Sequence, residues 1–246
     1  MIIKRLFVSG CVLWLSISVF AADKARQNTA SRSASATSQK TEASLEPVLS
    51  QMDAASAKFR SAQADVVWVQ YQKVVNDTDI QKGRIYFKRG NKGTQMATQI
   101  TSPDKKYIVF SDGKVRLYQP AIDQVTEYNT GKNREEIESF LVLGFGGRGH
   151  DLLNSYDVKF DGNETIDGVN TAKLALTPKA VKVRNIFAKI ILWMDAPRGV
   201  SLKLQAIEPS GDYRTVTYTN IKLNGRISDD VFKLHTSGNT KVVRPE

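Results

Sequence analysis

The chain has 246 residues, 41% of them apolar and 24% charged, which suits one soluble domain with a sizeable core plus attached segments. Removing Lys4 and Arg5 with an N-terminal leader, and the three surplus cations of residues 23–40, brings the net charge from +10 down to +5 for the folded body. That charge is spread along the chain, which argues against a nucleic-acid binder and fits mild attraction to anionic membrane surfaces or an acidic partner.

Residues 1–22 read as a secretory signal peptide: Lys4 and Arg5, an apolar run from Leu6 to Phe20, then Ala21-Ala22. The run is short for a transmembrane helix. Val8-Ser9-Gly10-Cys11 resembles a lipidation box, but the apolar run continues well beyond it and favours cleavage at Ala21 or Ala22. Cys11 is the sole cysteine, so the mature chain would hold no disulfide and no thiol nucleophile. Residues 23–43, rich in Ala, Ser, Thr, Gln and Lys, lack large apolar side chains and read as a flexible linker.

The folded domain spans 44–246. Its first element is a helix over 44–59, with Leu45, Val48, Leu49, Met52, Ala55 and Phe59 on one face and Ser44 as N-cap. The period then changes to two, with strands near 64–75, 81–88, 94–101, 106–111, 114–119 and 123–128; Asp112-Gly113 marks a hairpin. A helical interruption follows through Ile137, Phe140 and Leu141, broken by glycines 144, 146, 147 and 149, which suit a hinge, and then by a short helix with Leu152 and Leu153. Strands resume near 156–165, 169–178, 186–195, 199–208 and 212–223. About eleven strands joined by short turns point to a meandering antiparallel sheet, too wide to stay flat.

Alternation such as Ile190, Leu192, Met194 against Lys189 and Asp195 gives each strand one apolar face. Curling turns these faces into a concave interior, which the pattern alone leaves either filled or hollow. Its lining is expected from Trp68, Ile85, Phe87, Met96, Ile100, Ile108, Phe110, Leu117, Leu174, Leu176, Ile190, Leu192, Met194, Leu202 and Leu204. The aromatics Trp68, Phe87, Phe110, Phe187 and Trp193 lie on separate strands, which suits a lining or core better than a base-stacking platform.

Chemistry-bearing patterns are sparse. His150 and His235 have no second ligand at metal spacing, and His150-Asp151 lacks a nucleophile. Gly144-Phe145-Gly146-Gly147-Arg148-Gly149 is not followed by Gly-Lys-Ser/Thr and so is no phosphate loop. Neither a catalytic site nor a cofactor is expected.

Several stretches in order carry a family resemblance. They are Gly83-Arg84-Ile85-Tyr86-Phe87-Lys88-Arg89 through Pro103; Ser111-Asp112-Gly113-Lys114-Val115-Arg116-Leu117-Tyr118-Gln119-Pro120; Asp123-Gln124-Val125; Leu176-Thr177-Pro178-Lys179; Trp193-Met194-Asp195; Gly211-Asp212-Tyr213; and Asp230-Val231-Phe232. Over residues 45–245 the sequence resembles the periplasmic outer-membrane lipoprotein carrier proteins (LolA-like). The resemblance implies an unclosed barrel of about eleven strands, with helices forming a lid over its apolar concave face. The lid would carry Leu49, Met52, Ile137, Phe140, Leu141, Phe145, Leu152 and Leu153. It further implies a periplasmic carrier of lipoprotein acyl chains or other lipids, not an enzyme, served by an inner-membrane lipoprotein-releasing transporter and an outer-membrane acceptor. The alternative is a lipid- or lipoprotein-sensing regulator that binds an anti-sigma factor or another membrane signalling protein. In the family an Arg before the Pro strand end bonds the lid. Aligned on Pro103, that position is Ala97, which leaves Arg84 or Arg148 as substitutes.

Overall fold

A computed structural model describes residues 45–90, 93–129, 131 and 143–245. The leader, the linker and Ser44 lie outside the described residues, as do Ile137, Phe140 and Leu141 of the expected lid.

Residues 45–58 form helix α1. Leu45, Leu49, Met52 and Ser56 recur at three- and four-residue steps as its buried positions, and Phe59, just past its end, continues the same face. Strands β1 (Ser61–Gln72), β2 (Asp77–Gly90), β3 (Gly93–Ser102), β4 (Lys106–Ser111), β5 (Lys114–Gln119) and β6 (Gln124–Asn129) follow. After the mid-chain segment and the one-turn helix α2 (Leu152–Ser155) come β7 (Tyr156–Ile166) and β8 (Val169–Pro178). Helix α3 (Val181–Arg184) leads to β9 (Lys189–Asp195), β10 (Val200–Ile207), β11 (Tyr213–Leu223) and β12 (Lys241–Val243).

Among the described residues all twelve strands belong to one sheet in the order β12-β6-β5-β4-β3-β2-β1-β11-β10-β9-β8-β7, with β7 and β12 as unjoined edges. The half-barrel expected from the sequence is therefore present with one strand more than anticipated. The added strand, β12, pairs parallel with β6, so the sheet is not wholly antiparallel. Three residues give no readable period, which is why this strand is silent in the sequence. Asp112-Gly113 makes the expected hairpin, with both residues at positive φ, and Asp167-Gly168 repeats the device between β7 and β8. At Gly83 a β-carbon would fall 2.1 Å from the Gln99 carbonyl, so only glycine fits the irregular β2–β3 pairing there.

The two faces of the sheet are covered differently. The concave face packs with α1 into the main core. On the convex face Tyr86, Ala97 and Val109 are covered by Ile227 and Phe232 from the C-terminal segment. Register places the turns 73–76, 103–105, 120–123 and 208–212, together with α3, at one end of the sheet. The opposite end carries 112–113, 167–168, 196–199 and the exit of β11 at Asn224.

Candidate functional site

Ile85, Phe87, Met96, Phe110, Leu174, Leu176, Ile190, Leu192, Met194 and Leu204 converge on the concave face, with Ile108 packed against them. Ile100 shares their register and is buried, but lies outside the central cluster. Leu202 is buried at a β10 irregularity outside the cluster, and Leu117 is half-buried. Along β1 the inward positions Ala62, Ala64 and Val66 are buried, whereas Trp68 and Gln70 are only half-buried. The concave face thus opens towards the end that bears α3 and the 73–76 turn.

That end has a polar lip. Arg214 pairs across β10 with the inward-facing Ala206 and is buried; its guanidinium lies 2.7 Å from Glu208 and 5.8 Å from the centre of the Phe187 ring. Burial holds the Arg214 pKa below the ordinary arginine value. The surface therefore grades from an apolar floor to a charged mouth.

Phe145 packs on the concave face towards the end opposite the mouth. It is 1% exposed, stacks on Phe87 at 4.6 Å between ring centres and meets Tyr218 edge-on at 4.8 Å. It reaches this position because its segment borrows the start of β10. Phe145 bridges Val200, Ser201 N–H donates to the Gly144 carbonyl at 2.7 Å, and Gly146 N–H to the Gly199 carbonyl at 3.1 Å. Leu143, Leu49 and Met52 complete the cover; Leu152 is half-buried and Leu153 is 36% exposed. The interior is thus occupied by the protein's own side chains. Beside them a cleft of about 280 Å³ remains among Met52, Leu143, Phe145, Leu152, Tyr156 and Met194.

The mid-chain glycines read as a hinge in sequence, but here they form a packing seam. A β-carbon at Gly146 would fall 2.3 Å from the Phe59 ring, and one at Gly149 would fall 2.5 Å from the Leu49 backbone. One at Gly144 would meet Ser201 at 2.6 Å. These positions need glycine because the segment lies flush on α1 and β10.

Two polar clasps tie the seam down. The Arg89 guanidinium, from the end of β2, donates to the Ser56 carbonyl at 2.8 Å and to the Gly146 carbonyl at 2.7 Å, and lies 5.5 Å from the Phe59 ring centre. Ser56 Oγ donates to the same Gly146 carbonyl at 2.7 Å. The second clasp is His150, whose Nδ1 lies 2.7 Å from Asp53 Oδ2 and whose Nε2 lies 3.2 Å from Glu46 Oε1. Hydrogen bonds to Asp53 and then Glu46 raise the His150 pKa above 6.5. Arg148 adds an ion pair to Asp53 at 3.6 Å.

Of the two arginines the sequence offered, Arg148 joins the second clasp through Asp53, whereas Arg84 does not. Arg84 pairs with Asp65 at 2.9 Å, away from the cover. Ala97 faces the convex side beneath Phe232, so a side chain there could not reach the cover. Arg89 went unread because its partners lie 33 and 57 residues away; His150 read only as a loop histidine because Asp53 lies 97 residues away. No local spacing signals either. Among the described residues no three His, Cys, Asp or Glu side chains converge as a metal site would require.

Comparison with known proteins places this architecture. The family model "Outer membrane lipoprotein carrier protein LolA" matches residues 57–235. A search of curated protein sequences finds no match. Among solved structures, an uncharacterized conserved protein from Thermus thermophilus aligns at 12% identity, covering 82% of this chain and 99% of that one, with TM-score 0.54. MucB aligns at 15% identity over 80% of this chain and 64% of its own, with TM-score 0.51. A LolA superfamily protein from Nitrosomonas europaea aligns at 16% identity over 77% and 97%, with TM-score 0.38.

Proposed function

This chain belongs to the outer membrane lipoprotein carrier protein LolA family, and we propose from that footing that it is a periplasmic carrier that shields acyl chains inside its half-barrel. The observation that carries the reading is Phe145. A segment held by hydrogen bonds and glycine contacts, with no covalent tie, seats one aromatic ring in the apolar core of the concave face. An acyl chain is the natural competitor for that position.

The magnitudes favour exchange. Withdrawing a phenylalanine ring from a core costs about 3 kcal/mol, and each buried methylene returns about 0.8 kcal/mol. Roughly four methylenes offset the ring, and the rest of a long chain would work against the clasps. The cleft beside Phe145, at about 280 Å³, falls at the lower limit of ordinary ligand pockets, so loading requires the cover to move. The graded surface also suits an amphiphile, with chains on the floor and a polar group near Arg214 and Glu208. Delivery to an outer-membrane acceptor, after release by an inner-membrane transporter, completes the cycle this family membership suggests.

Mass spectrometry of the mature protein purified from its native membranes tests this. Co-purifying lipid or lipoprotein, with saturable uptake of a fluorescent fatty acid, is expected. No bound lipid and no uptake would overturn the reading. A second reading, a lipid-sensing regulator, is favoured by the shared fold with MucB, one of whose structures is a complex with MucA. A pull-down dominated by one membrane signalling protein would shift the balance to it.

A further inference from the structure

Among the described residues the exposed large apolar side chains are not scattered. Val74 and Val75 form the tip of the β1–β2 hairpin and are 92% and 63% exposed; Ile122 in the β5–β6 turn is 61% exposed and Val181 in α3 is 65% exposed. These three connections share one end of the sheet, and the remaining exposed large apolar residues, among them Ile80 near the start of β2, lie in segments towards the same end. The described turns of the opposite end are built from Asp112-Gly113, Asp167-Gly168, Pro197-Arg198-Gly199 and Asn224-Gly225. Isolated exposed apolar residues need no explanation, but their segregation to one rim does.

The hairpin tip also contradicts turn chemistry. Two β-branched residues gain nothing for folding at a fully exposed tip, where Gly, Asn or Asp would serve better. Yet the tip is braced. Lys73 N–H donates to Asp212 Oδ1 at 2.9 Å, Tyr71 Oη donates to Asn76 Oδ1 at 3.0 Å, and Tyr71 stacks on Tyr213 at 4.9 Å. The α3 sector of this rim is basic, while the hairpin tip is flanked by Lys73 on one side and by Asp77 and Asp79 on the other. Residues 179–189 hold Lys179, Lys182, Arg184 and Lys189 and no acidic residue. Lys179 and Lys189 reach Asp157 and Asp161 at 4.0 and 3.8 Å, while the Arg184 guanidinium bonds only the Lys179 carbonyl among the described residues.

We propose that this rim docks on a bilayer surface bearing anionic headgroups, with the Val74-Val75 tip and Val181 entering the interface and Lys182 and Arg184 facing lipid phosphates. Apolar tips interleaved with cations are the chemistry of interfacial binding. The same end carries the mouth of the concave face at Trp68 and Arg214, so docking presents the mouth to the membrane and spares an acyl chain passage through water. This deepens the carrier reading and rests on it.

Flotation of the mature protein with phosphatidylcholine vesicles, with and without about one-third phosphatidylglycerol, tests the rim. Binding is expected on the anionic vesicles and should weaken as salt rises. Val74→Asp with Val75→Asp, and separately Lys182→Glu with Arg184→Glu, should each weaken it roughly tenfold. Arg226→Glu, at the opposite end, should leave it unchanged. Fatty-acid uptake in vesicle-free solution separates the two ideas, since the rim variants should retain it. Intact uptake without vesicle binding, or binding indifferent to both pairs, overturns the rim alone and points to a protein partner there. Loss of uptake by the unaltered protein would remove the carrier reading itself.

Discussion

Arg89 holds the Gly146 carbonyl at 2.7 Å across 57 residues of sequence, joining the end of β2 to the segment that carries Phe145. The same guanidinium holds the Ser56 carbonyl, so one side chain staples strand, helix α1 and cover together. Ala97, the position that alignment on Pro103 offers for the family's arginine, faces the other side of the sheet. Arg89 can make this clasp because its planar guanidinium serves two carbonyls at once.

Arg89→Ala should therefore favour the open cover. Hydrogen bonds to a charged donor contribute about 1.5–3 kcal/mol when buried, and Arg89 is substantially exposed, so about 1.5 kcal/mol is expected, a roughly tenfold shift. Faster uptake of a fluorescent fatty acid and faster hydrogen exchange over residues 143–149 would register it. Arg89→Lys should recover only part, since an ammonium does not fit both carbonyls as the fork does. Unchanged exchange in the alanine variant would remove the clasp.

Phe145→Ala should lower stability by about 3–5 kcal/mol, because the core would be left with a cavity. Added fatty acid should restore more of the lost melting temperature in this variant than it adds to the unaltered protein. Equal shifts would show that chain and ring do not compete for one space.

Gly149→Ala distinguishes a seam from a hinge. A hinge glycine tolerates alanine wherever φ is negative, whereas a β-carbon 2.5 Å from the Leu49 backbone forces α1 and the cover apart. A loss of about 1–3 kcal/mol is expected from overpacking, with exchange increased in both α1 and residues 143–150. A variant as stable as the parent would restore the hinge reading.

The His150 clasp should respond to pH. Its pKa is raised in the folded protein, so its contribution is complete below about 6.5, the unfolded value, and fades as pH climbs through the higher folded value. Asp53, Glu46 and Arg148 are the charged groups around it. Uptake should accelerate on the alkaline side, and His150→Gln should flatten that dependence. A profile identical in the two proteins would exclude the clasp.

At the other edge, hydrogen bonding by Arg116 foremost, with Arg244 and Lys114, holds the Glu127 carboxyl down to about 2 from 4.5. Its contribution is present above pH 4.5 and is lost as pH falls towards 2. Since Arg244 follows β12 directly, acid should release that strand, visible as faster exchange at Lys241–Val243. Glu127→Gln should release it at neutral pH.

Much of the architecture is legible in the chain. A period of two in stretches such as Ile190, Leu192 and Met194 commits one face of each strand to the interior, and Asp112-Gly113 can turn only one way at low cost. Eleven of the twelve strands follow from such local rules, because backbone sterics and face alternation act between near neighbours. What Phe145 does is not local. It resembles any apolar residue among glycines until β10 offers Val200 as a bridge and Phe87 as a stacking partner. The same holds for Arg89, His150 and the apolar rim, whose members come from separate turns. Their meaning depends on which carbonyl, carboxylate or neighbouring turn the register of the sheet brings within a few ångströms, and only the tertiary structure decides that.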